Sequence, residues 1–334
     1  SSGCLWRRLD LGGRPYPLVM NFGLLLPGQG AQAVGMGADF AKTSPTARNL
    51  FSQADEVLGF SLSKLCFEGP LEELTKTDVA QPAIYVTSLS VLAAIEERHA
   101  QKIQPLAAAG LSLGEYTALS AAGALTFEDG LRLVRLRGSA MQEAAEALPS
   151  GMTSVMGMEL ENLTELCSRV SEETGAICQV ANLNSPGQLV VSGQNEALDV
   201  FDLQAKEAGA RRAMRLNVAG AFHSEVMRPA SVKLNAALEE TEFSVPNCPV
   251  WQNATGLPES DPTLLKENLV AQLCSPVLWE NSFRDMAQTL GQQAFLEPAP
   301  GKVLAALARK INREATVHSA DSAEAIENLL DVVQ

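Results

Sequence analysis

The sequence predicts a mixed α/β protein in which a parallel sheet wrapped by helices is interrupted by a smaller inserted unit. Three observations carry this reading. Two short apolar runs, Asn21-Phe-Gly-Leu-Leu-Leu26 and Pro105-Leu-Ala-Ala-Ala-Gly110, each break into a glycine-bearing loop and then into helical sequence, as buried parallel strands do. Residues 150–216 change texture to strand-helix-strand-strand-helix-strand. From 217 onward helical and short apolar segments alternate again. The boundaries that follow are an irregular N-terminal segment over 1–20, a larger α/β domain over 21–149 and 217–334, and a small insert over 150–216.

A chain of 334 residues suits two such units, and at 46% hydrophobic it can bury a sizeable core. No apolar run approaches the roughly 20 residues that a membrane span needs, so a soluble protein without a membrane role is expected. The net charge of −14 argues against nucleic acid as a partner. Six cysteines (Cys4, Cys66, Cys167, Cys178, Cys248, Cys274) are dispersed with no Cys-x-x-Cys pair, which predicts buried free thiols and no metal site. Residues 1–20, with Trp6-Arg7-Arg8, show no period and read as an expression tag or a transit-peptide remnant.

The first strand feeds the loop Pro27-Gly-Gln-Gly-Ala-Gln32, and loops at the carboxyl ends of such strands bind ligands. Gly28, Gly30 and Ala33 approximate a dinucleotide fingerprint, but Pro27 intrudes and no acid follows a second strand at the expected distance. Short helices are expected at 45–58, 61–67 and 70–76, and a longer one at 81–99 with Pro82 in its first turn. Gly110-Leu-Ser-Leu-Gly114 then forms a Gly-x-Ser-x-Gly turn from strand to helix, which makes the larger domain α/β-hydrolase-like. In such a turn the glycines relieve crowding and the serine stands at a helix N-terminus that favours negative charge. Ser112 is the candidate nucleophile; the alternative is a serine N-cap in a glycine-rich loop.

Thr126 and Asp129 cap a helix that runs to about 148, where Pro149 stops it. Its polar face carries Glu128, Arg132, Arg135, Ser139 and Gln142, with Glu128 and Arg132 spaced as an i,i+4 pair. Arg137 instead falls on the apolar stripe of Phe127, Leu131, Val134 and Met141. A charge there needs an anionic partner, either a ligand or a structural carboxylate, unless the side chain snorkels to the rim.

In the insert, strands at 152–156, 177–181, 188–192 and 212–216 and helices at 159–172 and 194–208 give the split βαβ order of a ferredoxin-like module. Asn217-Val-Ala-Gly-Ala-Phe-His-Ser224 follows, then an amphipathic helix to about 240. His223 sits ahead of that helix, whose dipole disfavours imidazolium and keeps the ring neutral, as a general base requires. The other two histidines, His99 and His318, read as solvated or packing residues. Helices at 261–274, 280–290, 300–310 and 321–332 and strands near 249–252, 293–297 and 315–318 complete the larger sheet. Ser112 and His223 thus supply a nucleophile and a base. The backbone N–H of Leu113 offers one oxyanion donor, and the small residues around Gln29 suit that residue to offer the second.

The ordered set Pro27-Gly-Gln-Gly-Ala-Gln32, Gly110-Leu-Ser-Leu-Gly-Glu-Tyr116, Arg135-Leu-Arg-Gly138, Asn182-Leu-Asn-Ser-Pro-Gly-Gln188 and Gly220-Ala-Phe-His-Ser224 resembles the malonyl-CoA:acyl carrier protein transacylase family, from about Phe22 to the C-terminal helices. The resemblance implies ping-pong transfer of malonyl from coenzyme A to Ser112 and then to the phosphopantetheine thiol of acyl carrier protein, serving fatty acid synthesis. His223 is then base and acid in turn, and Arg137 holds the malonyl carboxylate. Gln272, in Gln-Leu-Cys-Ser-Pro-Val-Leu-Trp279, matches the residue whose backbone carbonyl orients the histidine, so no acidic third member is needed. Phe222 matches the bulky residue of malonyl-selective members and should crowd an α-methyl group. No metal and no cofactor are implied beyond the coenzyme A thioester and the partner's phosphopantetheine.

Bacterial members usually carry histidine where this chain has Leu111, which looks like plant and algal plastid forms. A plastid stroma is therefore the first expectation for location and bacterial cytoplasm the second; a monomer is preferred. Carrier proteins are acidic, as this chain is, so docking must use a local basic patch. The candidates are Lys206, Arg211, Arg212 and Arg215, and Lys302, Arg309, Lys310 and Arg313, with a solvated charged face as the alternative for each. Two other classes compete. A serine hydrolase or thioesterase of α/β-hydrolase type wants a buried acid before the histidine and has no use for Arg137. A non-catalytic acyl-binding protein has no use for an intact Ser112, His223 and Arg137 set.

Overall fold

From Phe22 to Leu26 the first strand, β1 (Val19–Leu26), is buried on both faces, which requires a central place in a sheet covered by helices on either side. The computed structural model, which describes residues 19–327 and 329, places it there. The other strands are β2 (Lys102–Gly110), β3 (Ser150–Met156), β4 (Cys178–Ser185), β5 (Gln188–Gln194), β6 (Arg212–Arg215), β7 (Val250–Trp251), β8 (Pro258–Glu259), β9 (Phe295–Pro298) and β10 (Val317–Ala320). The larger sheet runs β10-β9-β1-β2-β7-β8, parallel except for β8, which pairs antiparallel with β7. Leu26 and Gly110, at the carboxyl ends of the neighbouring strands β1 and β2, stand opposite each other and deliver their loops to one place.

The helix expected at 81–99 begins four residues earlier, at Thr77, and Pro82 lies inside it. Proline has no N–H to give the carbonyl four residues back. That carbonyl belongs to Asp78, and Arg135 Nη1 donates to it and, at 2.9 Å, to Asp78 Oδ2. The guanidinium thus replaces the missing backbone donor, which is why the proline is tolerated. By length and composition this helix, Thr77–His99, could cross a membrane, contrary to the expectation that no segment could. Most of it is buried inside the protein, so it is the core helix of the larger domain.

Thr126 caps the helix Phe127–Ala147 by accepting from the Asp129 N–H at 3.1 Å. The expected Glu128–Arg132 pair does not form. Glu128 accepts from Gln53 Nε2 on the adjacent helix Pro45–Leu58 at 2.7 Å, and Arg132 reaches Asp129 instead.

The insert forms a second sheet, β4-β5-β3-β6, antiparallel throughout, with the helices Leu160–Thr174 and Asn195–Ala205 on one face. Alternation along the strands divides its side chains. Val155, Leu189 and Val191 join Leu163, Leu166 and Phe201 in a core of its own, whereas Met152, Ala181 and Val190 join the core of the larger domain. Backbone bonds fasten β4 to the larger domain at Val277, whose N–H donates to Ala181 and whose carbonyl accepts from Leu183. The two units therefore share a wall.

The N-terminal segment to residue 18 lies outside the described residues. Of the helix expected at 321–332, residues 323–327 form turns instead, and 328 and 330–334 are outside the description. Cys66, Cys167, Cys178, Cys248 and Cys274 are buried free thiols, as expected; Cys4 is outside the described residues. His318 packs edge-on against Phe22, and His99 is bonded to the Ile326 carbonyl at 2.7 Å.

Candidate active site

The elbow is built by two close approaches that only glycine permits. A Cβ on Gly110 would lie 1.9 Å from the Gly114 carbonyl carbon, and one on Gly114 would lie 2.3 Å from the Leu26 carbonyl oxygen. Between them Ser112 is held at a φ of 54°, in the left-handed region that a residue with a Cβ seldom occupies. Asn253, on the loop after β7, holds this corner from behind: its Oδ1 accepts from the Ser112 N–H and its Nδ2 donates to the Gly110 carbonyl, both at 2.7 Å.

Ser112 Oγ lies 2.8 Å from His223 Nε2, and His223 Nδ1 lies 2.8 Å from the backbone carbonyl of Gln272. Because a carbonyl only accepts, Nδ1 carries the proton and Nε2 is left to accept from the serine. His223 is itself held at a φ of 58°. Its pKa is lowered to about 4, chiefly by burial and next by the nearby Arg137 cation, against the bond to Gln272. Sequence reasoning assigned the neutral ring to the dipole of the following helix. A 3₁₀ turn, Glu225–Met227, intervenes before the helix Arg228–Glu240, and burial leads instead.

Arg137 is fully buried. Its Nη1 donates to Gln81 Oε1 at 2.8 Å, and its Nη2 donates to Gln272 Oε1 at 2.8 Å and to Ser112 Oγ at 3.1 Å. Among the described residues no carboxylate lies within ion-pair distance of it, which removes the structural-carboxylate reading, and its burial removes the snorkelling one.

Ser112 and His223 open on a cavity of about 470 Å³ between the two units, lined by Gln29, Lys76 and Phe222 of the larger domain and by Met152, Asn182 and Val190 of the insert. Gln29 lies in the cavity wall, and Leu113 is the N-cap of the helix Gly114–Ala121. Neither backbone N–H has an acceptor among the described residues. Phe222 is pinned by its carbonyl, which accepts from Ser192 Oγ.

Of the basic residues singled out for docking, Arg211 and Arg212 are exposed. Arg215 is tied to Asp199 and Asp202, and Lys302 to Asp321, so these two do not offer the free charge expected of them. The acids lie close by in the fold but not in the sequence.

Sequence reasoning missed Gln81, Glu115 and Asn253. Glu115 carried a signal, being an acid in an otherwise small and apolar stretch, which is the argument that singled out Arg137. Asn253 follows a β-strand at its carboxyl end, where ligand loops occur.

Fold and site together define a serine acyltransferase. The chain matches the model of the acyl transferase domain family over residues 24–329. It is 43% identical over 303 residues to the malonyl CoA-acyl carrier protein transacylase of Bacillus subtilis, covering 91% of this chain and 94% of the relative. The mitochondrial malonyl-CoA-acyl carrier protein transacylase of Mus musculus is 37% identical over 323 residues, covering 92% and 83%. A solved malonyl-transacylase in complex with its type II PKS acyl-carrier protein superposes with a TM-score of 0.87 at 35% identity, covering 94% and 100%. The chain belongs to the family of the malonyl CoA-acyl carrier protein transacylases.

Proposed function

We propose that this chain moves the malonyl group of malonyl-CoA to the phosphopantetheine thiol of an acyl carrier protein through a malonyl ester on Ser112. The observation that carries the reading is the buried Arg137 guanidinium 3.1 Å from the nucleophile, a cation that hydrolysis has no need of. Ser112 Oγ attacks the thioester carbonyl as its proton passes to His223 Nε2, and the oxyanion is met by the N–H groups of Gln29 and Leu113. The C–S bond then breaks and His223 returns its proton to the departing coenzyme A thiol. In the second half the carrier's thiol gives its proton to His223, its sulfur attacks the malonyl ester, and Ser112 leaves with that proton.

Arg137 meets the malonyl carboxylate, whose planar pair of oxygens matches the guanidinium fork. Phe222 crowds an α-methyl substituent and so favours malonyl over methylmalonyl. No metal or cofactor has a step to perform. The chain is read as a monomer that supplies fatty acid synthesis and docks its carrier through Arg211 and Arg212. A plastid location rests on Leu111 alone; the alternative, bacterial cytoplasm, is consistent with a relative from Bacillus subtilis.

Intact mass after brief incubation with malonyl-CoA, and separately with acetyl-CoA, tests the core of this. A malonyl adduct on the wild type, none on Ser112→Ala and little acetyl adduct are expected. Free malonate accumulating without an adduct would turn the reading to a hydrolase, and no adduct with no turnover to an acyl-binding protein.

A further inference from the structure

Behind the elbow lies a buried acid that this chemistry does not use. Glu115 is fully buried in the first turn of the helix that follows the nucleophile's corner. Its Oε2 accepts from the Asn253 N–H at 2.9 Å and from Gln272 Nε2 at 3.1 Å, while its Oε1 has no partner among the described residues. Gln272 is the junction of the site. Its Nε2 also faces the Ser112 carbonyl at 3.0 Å and Asn253 Oδ1 at 3.2 Å, its Oε1 receives the Arg137 guanidinium, and its backbone carbonyl holds His223.

An amide side chain can face either way, and its neighbours decide which. On the Nε2 side of Gln272 stand three oxygens, and on the Oε1 side a cation. Turning the amide over would set oxygen against the Glu115 oxygen and NH₂ against the guanidinium. Of the three oxygens, Glu115 Oε2 alone belongs to an acid; the other two are a backbone carbonyl and an amide that already serves the Ser112 N–H.

We infer that Glu115 is a positioning residue: by fixing the Gln272 amide it aims the Arg137 guanidinium at the acyl group on Ser112, and so sets the preference for acyl groups that bear a carboxylate. This rests on the proposed malonyl transfer. Burial raises the Glu115 pKa to about 7, against the Asn253 and Gln272 bonds and Arg137, and the arrangement tolerates both forms. A proton on the unpartnered Oε1 leaves Oε2 accepting the same two bonds.

The test measures kcat and KM for Ser112 acylation by malonyl-CoA and by acetyl-CoA in the wild type, Glu115→Ala, Glu115→Gln, Arg137→Ala and the double variant Glu115→Ala with Arg137→Ala. Glu115→Ala should lower the malonyl-to-acetyl ratio of kcat/KM by about tenfold or more, the lower end of what one charge-assisted hydrogen bond contributes, mainly through a higher KM for malonyl-CoA. Glu115→Gln, whose amide oxygen can accept the same two bonds, should stay close to the wild-type ratio. In the Arg137→Ala background Glu115→Ala should change the ratio no further. If Glu115→Ala does not fold, Glu115→Leu, near in volume and unable to accept, replaces it. The inference is overturned if the wild type prefers malonyl but the alanine or leucine variant keeps that preference, if both thioesters lose rate alike, or if the ratio falls equally without Arg137. A wild type with no malonyl preference would overturn the malonyl reading itself, and the inference with it.

Discussion

Replacing Arg137 with methionine keeps roughly the length of the side chain and removes its five donors. Three of the bonds seen in the structure disappear, those to Gln81, Gln272 and Ser112 Oγ. The Ser112 bond is made with either thioester, so its loss, at about 1.5–3 kcal/mol for a hydrogen bond to a charged group, should slow both by about 10- to 150-fold. The malonyl carboxylate loses in addition a pair of charge-assisted bonds in a buried site, about 3–6 kcal/mol, which widens the gap by at least a further hundredfold. The two orphaned amide oxygens should cost about 2–6 kcal/mol of stability, readable as a lower denaturant midpoint. The assay is single-turnover acylation of Ser112 by each thioester, followed by intact mass. A malonyl-to-acetyl ratio that stays within tenfold of the wild type in a folded Arg137→Met protein would refute the assignment of the carboxylate to this residue.

Phe222→Ala should admit methylmalonyl-CoA, raising its kcat/KM relative to malonyl-CoA by tenfold or more; equal exclusion in wild type and variant would clear Phe222 of that role. Asn253→Ala removes both bonds that hold the Ser112 corner and should lower acylation by both thioesters together, by about tenfold per bond lost, with the ratio between them unchanged. Charge reversal at Arg211 and Arg212 should raise KM for the carrier protein and leave loading from malonyl-CoA alone; a matching loss in both half-reactions would move the dock elsewhere. Glu115, whose pKa is raised from 4.5 to about 7, binds more protons folded than unfolded, so its burial costs nothing below pH 4.5 and increasingly more up to pH 7. Relative to wild type, Glu115→Gln should therefore gain about 3 kcal/mol of stability as pH rises through that window, read from urea midpoints at each pH.

The parts of the site legible in the sequence are those with a local cause. Gly110 and Gly114 announce the elbow through their spacing around Ser112, although only the Gly110 approach is local and that of Gly114 is to the distant Leu26 carbonyl, and Arg137 stands out because helical periodicity alone puts a cation on an apolar face. Pro82 was misplaced because its tolerance depends on Arg135, 53 positions further on, which answers the freed Asp78 carbonyl. Arg215 and Lys302 looked free because their acids, Asp202 and Asp321, approach only in the fold. Gln272 was placed by resemblance, and that route supplied its backbone role but not its amide, which joins Glu115 to Arg137. Side-chain networks of this kind have no period and no spacing, so nothing short of coordinates reveals them.

With the malonyl carboxylate held by Arg137 as proposed, this residue also acts on the reaction through the base. It is the second cause, after burial, of the low pKa of His223. The direct partners of that cation are amide oxygens and a serine hydroxyl, none of which carries a full charge, and the nearest acid, Glu115, stands beyond the Gln272 amide, so part of its field falls on the imidazole. A malonyl carboxylate that docks on the guanidinium neutralises much of that field, and the pKa of His223 must rise in response. The histidine then becomes a stronger base in the complex that is about to react, both when Ser112 attacks and when the carrier thiol attacks the loaded serine. An acetyl group brings no charge and relieves nothing. It is therefore disfavoured twice, by the carboxylate contact it cannot make and by the weaker base it meets, so selectivity should appear in kcat as well as in KM.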